Sequence, residues 1–210
     1  MVWQNYLEFA AFYHNLGLDC KAVKILDACP EDNALIALWK AYFKGDKDAI
    51  ASAEAKSIEF VFPFREESAD VLSWALENGG GWKTRYLLAM LSDFIGNKDK
   101  ARQLLAEDDS DYAPYYAYRG ILSASKESLQ KAFDMDPQQW RYCQQLALMY
   151  YREGDYAKAA ELSGNFYAKN KDFLKSENIL TFPDTNGNLK ALKPDVTLSI
   201  VKNAALDGGV

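Results

Sequence analysis

Apolar residues recur along this chain at spacings of three and four, the period of a helix with one buried stripe, and glycine or proline cuts the runs at short intervals. From Trp3 to Asn15 the stripe is Tyr6, Phe9, Ala10 and Tyr13. Gly17 closes it, and a second run from Ala22 to Cys29 stops at Pro30. Asn33 to Lys44 predicts a strongly apolar helix broken by Gly45, followed over 46–57 by a short alanine-rich one. The segment FVFPFREES interrupts the series. Arg65 to Asn78 then predicts a helix with Val71, Leu72, Ala75 and Leu76 inward, and Asn78 to Trp82, NGGGW, is a glycine-rich stop. Helices are predicted from Trp82 to Ile95 and Lys98 to Ala106, from Tyr115 to Ala124 and Ser125 to Met135, and from Trp140 to Glu153 and Tyr156 to Asn170. Pro114 lies at the start of one of them, where a missing N–H costs little.

Two-helix units with tight turns follow from one recurring set of residues. Tyr13, Gly17 and Ala22 have the spacing of Tyr150, Gly154 and Ala159; Ala10 and Ala147 stand seven residues before the glycines. A third copy keeps Ala89, Gly96 and Ala101, with Ser92 in the tyrosine position. Glycine supplies the turn and small alanines let the two helices approach. The expected fold is all-α: an irregular right-handed α-solenoid of five helical hairpins or near-hairpins over residues 1–172, with a non-repeat tail over 173–210.

These positions resemble the tetratricopeptide repeat. The last unit shows it best, in Leu146-Ala147, Tyr150, Gly154, Tyr156 and Ala159 after Pro137; Leu129 and Ala132 end the preceding unit similarly. The first hairpin matches through Phe9-Ala10, Tyr13, Gly17, Ala22 and Leu26, and the third through Leu88-Ala89, Gly96, Ala101 and Leu105. The turn glycines lie 28, 51 and 58 residues apart, against 34 in a regular array, so extra helices interrupt it. The order FVFPFREES, VLSWALENGGGWKTRYLLAML, DPQQWRYCQQLALMYYREGDYAKA is also similar to the helical-repeat region of large bacterial proteins that carry a domain of unknown function and a galactose-mutarotase-like sandwich. That resemblance implies a fragment lacking any sugar-handling portion.

The tail changes character. ENILTFPDTNGNLKALKPDVTLSIV is rich in β-branched residues, and Asn186-Gly187 between apolar runs is a hairpin-turn signal. A short helix from Asp195 to Gly208 is the alternative reading of its last part, and a loosely packed tail is expected.

Composition narrows the function. Hydrophobic residues make up 49% and aromatic ones 14%, which is too apolar for a disordered chain. No apolar run is long enough to span a membrane. A net charge of −6 without a basic stripe disfavours nucleic acid. MVWQNYLEFAAF lacks the layout of a secretory signal, which points to the cytoplasm. Three cysteines, Cys20, Cys29 and Cys143, have no metal-ligand spacing and read as small buried hydrophobes.

The candidate chemistry is thin. His14, the only histidine, has Cys20 nearby but no oxyanion site. Glu66 and Glu67 read as acidic residues in a helix's first turn, with Arg65 pairing with one of them. The acidic run Glu107, Asp108, Asp109 and Asp111 does not fit a calcium loop, and Asp184, Asn186, Asn188 and Asp195 fit it only in part. Gly79, Gly80 and Gly81 lack the lysine and hydroxyl of a phosphate loop. Trp39, Trp74, Trp82 and Trp140 are expected in the core. No catalytic, cofactor-binding or metal residue is assigned, and the chain reads as a non-enzyme.

The first helix of each hairpin should line a concave face. Counting from the core positions, that face carries Arg141, Gln144, Leu148, Tyr151 and Arg152 on the last unit. On the third it carries Lys83, Tyr86, Met90 and Asp93, and on the first Gln4, Leu7, Ala11, His14 and Asn15. Tyrosine, arginine and methionine favour recognition surfaces; a plain solvated face is the other reading. The function expected is a scaffold binding a peptide or partner domain in this groove. The alternative is a structural module packed against a carbohydrate-active or sugar-binding domain of a larger parent protein.

Overall fold

The computed structural model describes residues 2–107, 110–170, 181–183 and 189–191, with the backbone alone for 165–170, 181–183 and 189–191. Among them are eleven helices: α1 (Val2–Asn15), α2 (Asp19–Asp27), α3 (Ala34–Lys44), α4 (Ala49–Glu54), α5 (Ser68–Glu77), α6 (Trp82–Phe94), α7 (Lys98–Leu104), α8 (Ala113–Ser123), α9 (Lys126–Met135), α10 (Trp140–Arg152) and α11 (Tyr156–Asn170). Two three-residue strands, β1 (Thr181–Pro183) and β2 (Leu189–Ala191), pair antiparallel with Phe182 opposite Lys190. The Asn186-Gly187 turn, the Asp195–Gly208 helix alternative and the partial calcium spacing fall outside the described residues, as do Asp108 and Asp109. The chain divides into two compact units, Met1–Gln138 and Gln139–Val210.

Helices pair in chain order because the turns are built alike. At Gly17, Gly45, Gly96 and Gly154 the backbone is left-handed, with φ between 63° and 89°. The residue after each glycine donates its N–H to the carbonyl of Tyr13, Ala41, Ser92 or Tyr150 respectively, at 2.8–3.0 Å. These are the two-bond helix endings that glycine favours. The acceptor is always the residue four before the glycine, which is the tyrosine position of the motif. Since only its carbonyl is used in this bond, Ser92 replaces tyrosine there without loss of the turn.

The α8–α9 turn reaches the same geometry without glycine. Ala124 has φ 51°, and Ser125 N–H donates to Gly120 O at 2.9 Å. A left-handed alanine costs about 1 kcal/mol. The glycine has moved to the acceptor position. A Cβ on Gly120 would meet Leu129 Cγ at 2.6 Å and Leu129 N at 2.9 Å, so its absence is what lets α9 lie against α8. Ser125 then caps α9, accepting from Ser128 N at 3.2 Å.

In the first unit the core runs through Trp3, Leu7, Leu26, Leu35, Trp39, Leu72, Leu87 and Tyr115, all essentially inaccessible. Trp39 Nε1 donates to Ser68 Oγ at 3.3 Å, satisfying both buried groups. The expected helix from Arg65 starts only at Ser68, and α5 packs between α3 and α6. The residues 65–67 are held in a polar clamp instead. Arg65 donates through Nε and Nη2 to Glu67 at 3.0 and 2.6 Å and through Nη1 to Glu8 Oε2 at 2.7 Å, while Asn15 Nδ2 donates to Glu67 Oε1 at 3.1 Å. Arg65 therefore pairs with Glu67 and reaches back to α1.

The Arg65 guanidinium holds the Glu67 carboxyl down from the ordinary 4.5 to about 2. A depressed carboxyl adds stability above its unfolded value, and that stability is lost as pH falls through the folded one. The clamp should therefore weaken between about pH 4.5 and pH 2. Because it is partly solvated, about 1 kcal/mol is at stake. Urea titrations at pH 7 and pH 3 should show Glu67→Gln less stable than the parent at pH 7 and closer to it at pH 3. Equal differences at both pH values would refute this role.

Several sequence expectations about burial need correction. The buried stripe of α1 is Trp3, Leu7, Ala10 and Ala11, while Phe9 is exposed and Tyr6 and Tyr13 are half-buried, because the helix is apolar on two sides and its period alone does not say which one meets the core. Cys143 is buried and Cys29 half-buried, but Cys20 is exposed at the solvent-facing start of α2. Trp140 is exposed, because the first residue of α10 precedes its buried stripe of Cys143, Leu146 and Ala147. Leu7 and Ala11 are fully buried and cannot line a groove; α1 turns them into the core beside Trp3 and Ala10.

Candidate functional site

The second unit presents a candidate surface on α10. On α10 the buried residues Cys143, Leu146 and Ala147 fix which way the helix turns, and Cys143 Sγ donates to Leu162 O of α11 at 3.4 Å. The opposite side carries Arg141, Gln144, Leu148, Tyr151 and Arg152, all exposed. Successive spacings of three, four and three put the first four in one row along the helix. Aromatic rings frame the row. The Arg141 guanidinium lies 5.7 Å from the Trp140 ring centre, and Tyr151 meets Tyr156 edge-on with centroids 5.3 Å apart. Lys158 lies 5.0 Å from the Tyr150 ring. The surface offers two guanidinium groups, exposed aromatic rings and Leu148, a composition suited to holding an extended or helical segment by ring contacts and bidentate hydrogen bonds.

The candidate residues of the first unit fare differently. Lys83 is half-buried, with Nζ donating to Lys56 O at 2.6 Å and lying 5.7 Å from the Trp82 ring. Met90 is half-buried. Tyr86 is only 8% exposed, packed against the rings of Tyr112, Tyr115 and Tyr118 at centroid distances of 5.9–6.1 Å. It is a core residue, because Tyr115 and Tyr118 of α8, with Tyr112 just before it, cover the α6 face expected to be open. Tyr118 donates to Asp93 Oδ2 at 2.8 Å, and burial with that carboxylate beside it pushes its phenol up. His14 Nδ1 is 2.7 Å from Asp19 Oδ1, and its ring packs on Phe43 at 4.9 Å, so it serves the α1–α2–α3 junction.

One site that the sequence does not announce is the N-terminus of α6. Glu54, the last residue of α4, accepts from Gly81 N at 2.9 Å, Lys83 N at 3.2 Å and Thr84 N at 2.9 Å, and also from the Thr84 hydroxyl. A carboxylate here satisfies donors that a helix start leaves open and meets the positive end of its dipole. The NGGGW segment thus serves an internal acidic side chain. A Cβ on Gly81 would come within 3.1 Å of Glu54 Oε2.

Among the described residues no group of three or more His, Cys, Asp or Glu side chains could hold a metal ion, and no helix is long and apolar enough to cross a membrane. Comparison with family models and with curated proteins gives no match. Solved structures do resemble the chain. A crystal structure of MamA is 15% identical, covers 85% of this chain and 97% of its own, and superimposes with a TM-score of 0.53. YrrB, described as a TPR protein with an unusual peptide-binding site, is 16% identical over 80% of this chain and 87% of its own, with a TM-score of 0.48. MamA residues 41-end from Desulfovibrio magneticus RS-1 are 16% identical over 81% of this chain and 96% of theirs, at 0.47. With its own hairpin geometry, the chain is an all-α protein of tetratricopeptide-like helical repeats.

Proposed function

We propose that the protein is a non-enzymatic interaction scaffold that holds a peptide or partner segment on the exposed face of α10. The observation that carries this is the row Arg141, Gln144, Leu148 and Tyr151, with Arg152 at its end, standing clear of the unit's core. Tyrosine and arginine dominate binding energy at interfaces, and two arginines on a chain of net charge −6 mark the face locally for carboxylates. An apolar segment flanked by acidic residues suits it.

The test is capture from a bacterial lysate by the parent chain and by a variant with Arg141→Ala, Tyr151→Ala and Arg152→Ala. Loss of these three arginine and tyrosine side chains should weaken a genuine partner by about 100-fold or more, with helical content unchanged. If both chains capture the same proteins to the same extent, α10 is not the binding face.

A further inference from the structure

A continuous apolar surface of the first unit stands uncovered on α1. At 100° per residue, Val2, Asn5, Tyr6, Phe9, Phe12 and Tyr13 share one side of this helix, opposite the buried Leu7 and Ala11, and Leu16 follows in the turn just past its end. Phe9 is 62% exposed, Phe12 and Leu16 57% each, and Val2 49%. A helix apolar on both sides is the mark of one covered on both.

Register points the same way. Phe9 and Phe12 stand eight and five residues before the turn glycine Gly17. The same positions before Gly96 are Leu88 and Leu91, both buried in α6, which packs on the preceding α5. On α1 these positions hold larger side chains that face solvent.

From this we infer that the α1 face pairs with the α1 face of a second copy across a two-fold axis. The stripe carries no charged residue, while the chain as a whole carries −6. Lys21, 5.6 Å from the Tyr13 ring centre, and Glu31, which accepts from Val2 N at 2.8 Å, carry charge beside the row, while the row itself meets its copy without opposed like charges. An uncharged apolar row is also complementary to itself, which a two-fold contact requires. For rings of about 150–250 Å² each, the exposed parts of Phe9, Phe12, Leu16 and Val2, with the edges of Tyr6 and Tyr13, supply roughly 500 Å² per copy. A pair buries about 1,000 Å², the lower bound for a specific interface, so the dimer is weak, with a midpoint on the order of 10–100 µM.

Sedimentation velocity on the full chain, from about 1 to 500 µM, reads this directly. The parent should pass from monomer to dimer across that range. Phe9 sits at the centre of the stripe, so Phe9→Glu and Phe9→Lys should each weaken the dimer by about 30-fold or more with unchanged helical content. An equimolar mixture of the two variants should recover it, since a charge opposite its complement replaces ring against ring. A parent chain that stays monomeric, including one whose α1 face is instead covered by another protein, overturns the proposal. So does a dimer that survives Phe9→Glu, or a mixture that fails to recover.

Discussion

Replacing Glu54 by alanine should cost about 3 kcal/mol, although nothing in the alanine-rich sequence around it marks the position. The carboxylate accepts from three backbone N–H groups and one hydroxyl at the start of α6, and removing it leaves all four without their acceptor at once. Hydrogen bonds to a charged group contribute about 1.5–3 kcal/mol, and capping side chains alone about 1 kcal/mol. Because the site is only part-buried, water replaces some of what is lost, which keeps the total below the sum. For a chain of this length that corresponds to a fall in Tm of about 6–12 °C. Glu54→Gln keeps one acceptor oxygen, but it loses the charge and turns an NH2 toward a backbone donor, so it should fall about midway. Urea unfolding of the three proteins decides the matter. An alanine variant within about 0.5 kcal/mol of the parent would show that the α6 start is capped adequately by solvent.

The second large effect is expected at Gly120. Glycine in a helix interior is normally a weakness worth up to about 1 kcal/mol, so Gly120→Ala would stabilise an isolated α8. Here the added methyl meets Leu129 Cγ at 2.6 Å, Leu129 N at 2.9 Å and Ser125 O at 3.0 Å. The leucine side chain can turn away, but the backbone of α9 cannot without moving the whole helix. We expect Gly120→Ala to destabilise by about 2 kcal/mol and Gly120→Val by more than about 3 kcal/mol, in the range seen for overpacked cores. Adding Leu129→Ala to Gly120→Ala should recover little, because the backbone contacts remain. Recovery to the level of Leu129→Ala alone would place the conflict in the side chain and refute this account.

The contrast between these two sites shows what was legible in the chain. The four turns at Gly17, Gly45, Gly96 and Gly154 could be placed from sequence because a left-handed backbone is the property of a single residue. The matching turn at Ala124 was placed by where one apolar stripe ends and the next begins; its left-handed backbone was not, since alanine carries no such signal and the compensating glycine stands four positions earlier. Glu54 was hidden for a different reason. The amides it satisfies come 27 to 30 residues later, beyond any local window. On the candidate face, the α10 residues fell where helical spacing put them, because Cys143, Leu146 and Ala147 define that helix's inward side without help. Tyr86 and Leu7 did not, because the wheel of one helix carries no knowledge of which neighbours cover it.

The manner in which helices meet their chain neighbours bears on how the protein is made. Each hairpin, α1 with α2 or α8 with α9, closes on a turn of a few residues and needs nothing synthesised later. A ribosome adding about 5–20 residues per second leaves seconds between one hairpin and the next, whereas helix formation takes microseconds or less. The stack can therefore grow in the order of its synthesis. Some side chains break that rhythm. Glu8 must wait for Arg65, Asn15 for Glu67, and Glu54 for the amides of Gly81, Lys83 and Thr84. These are charged or polar groups, which water solvates well while they wait. Trp39 is the other kind: its indole N–H waits for Ser68, and until α5 emerges a large ring of the α3 hairpin stays open to contacts with other chains.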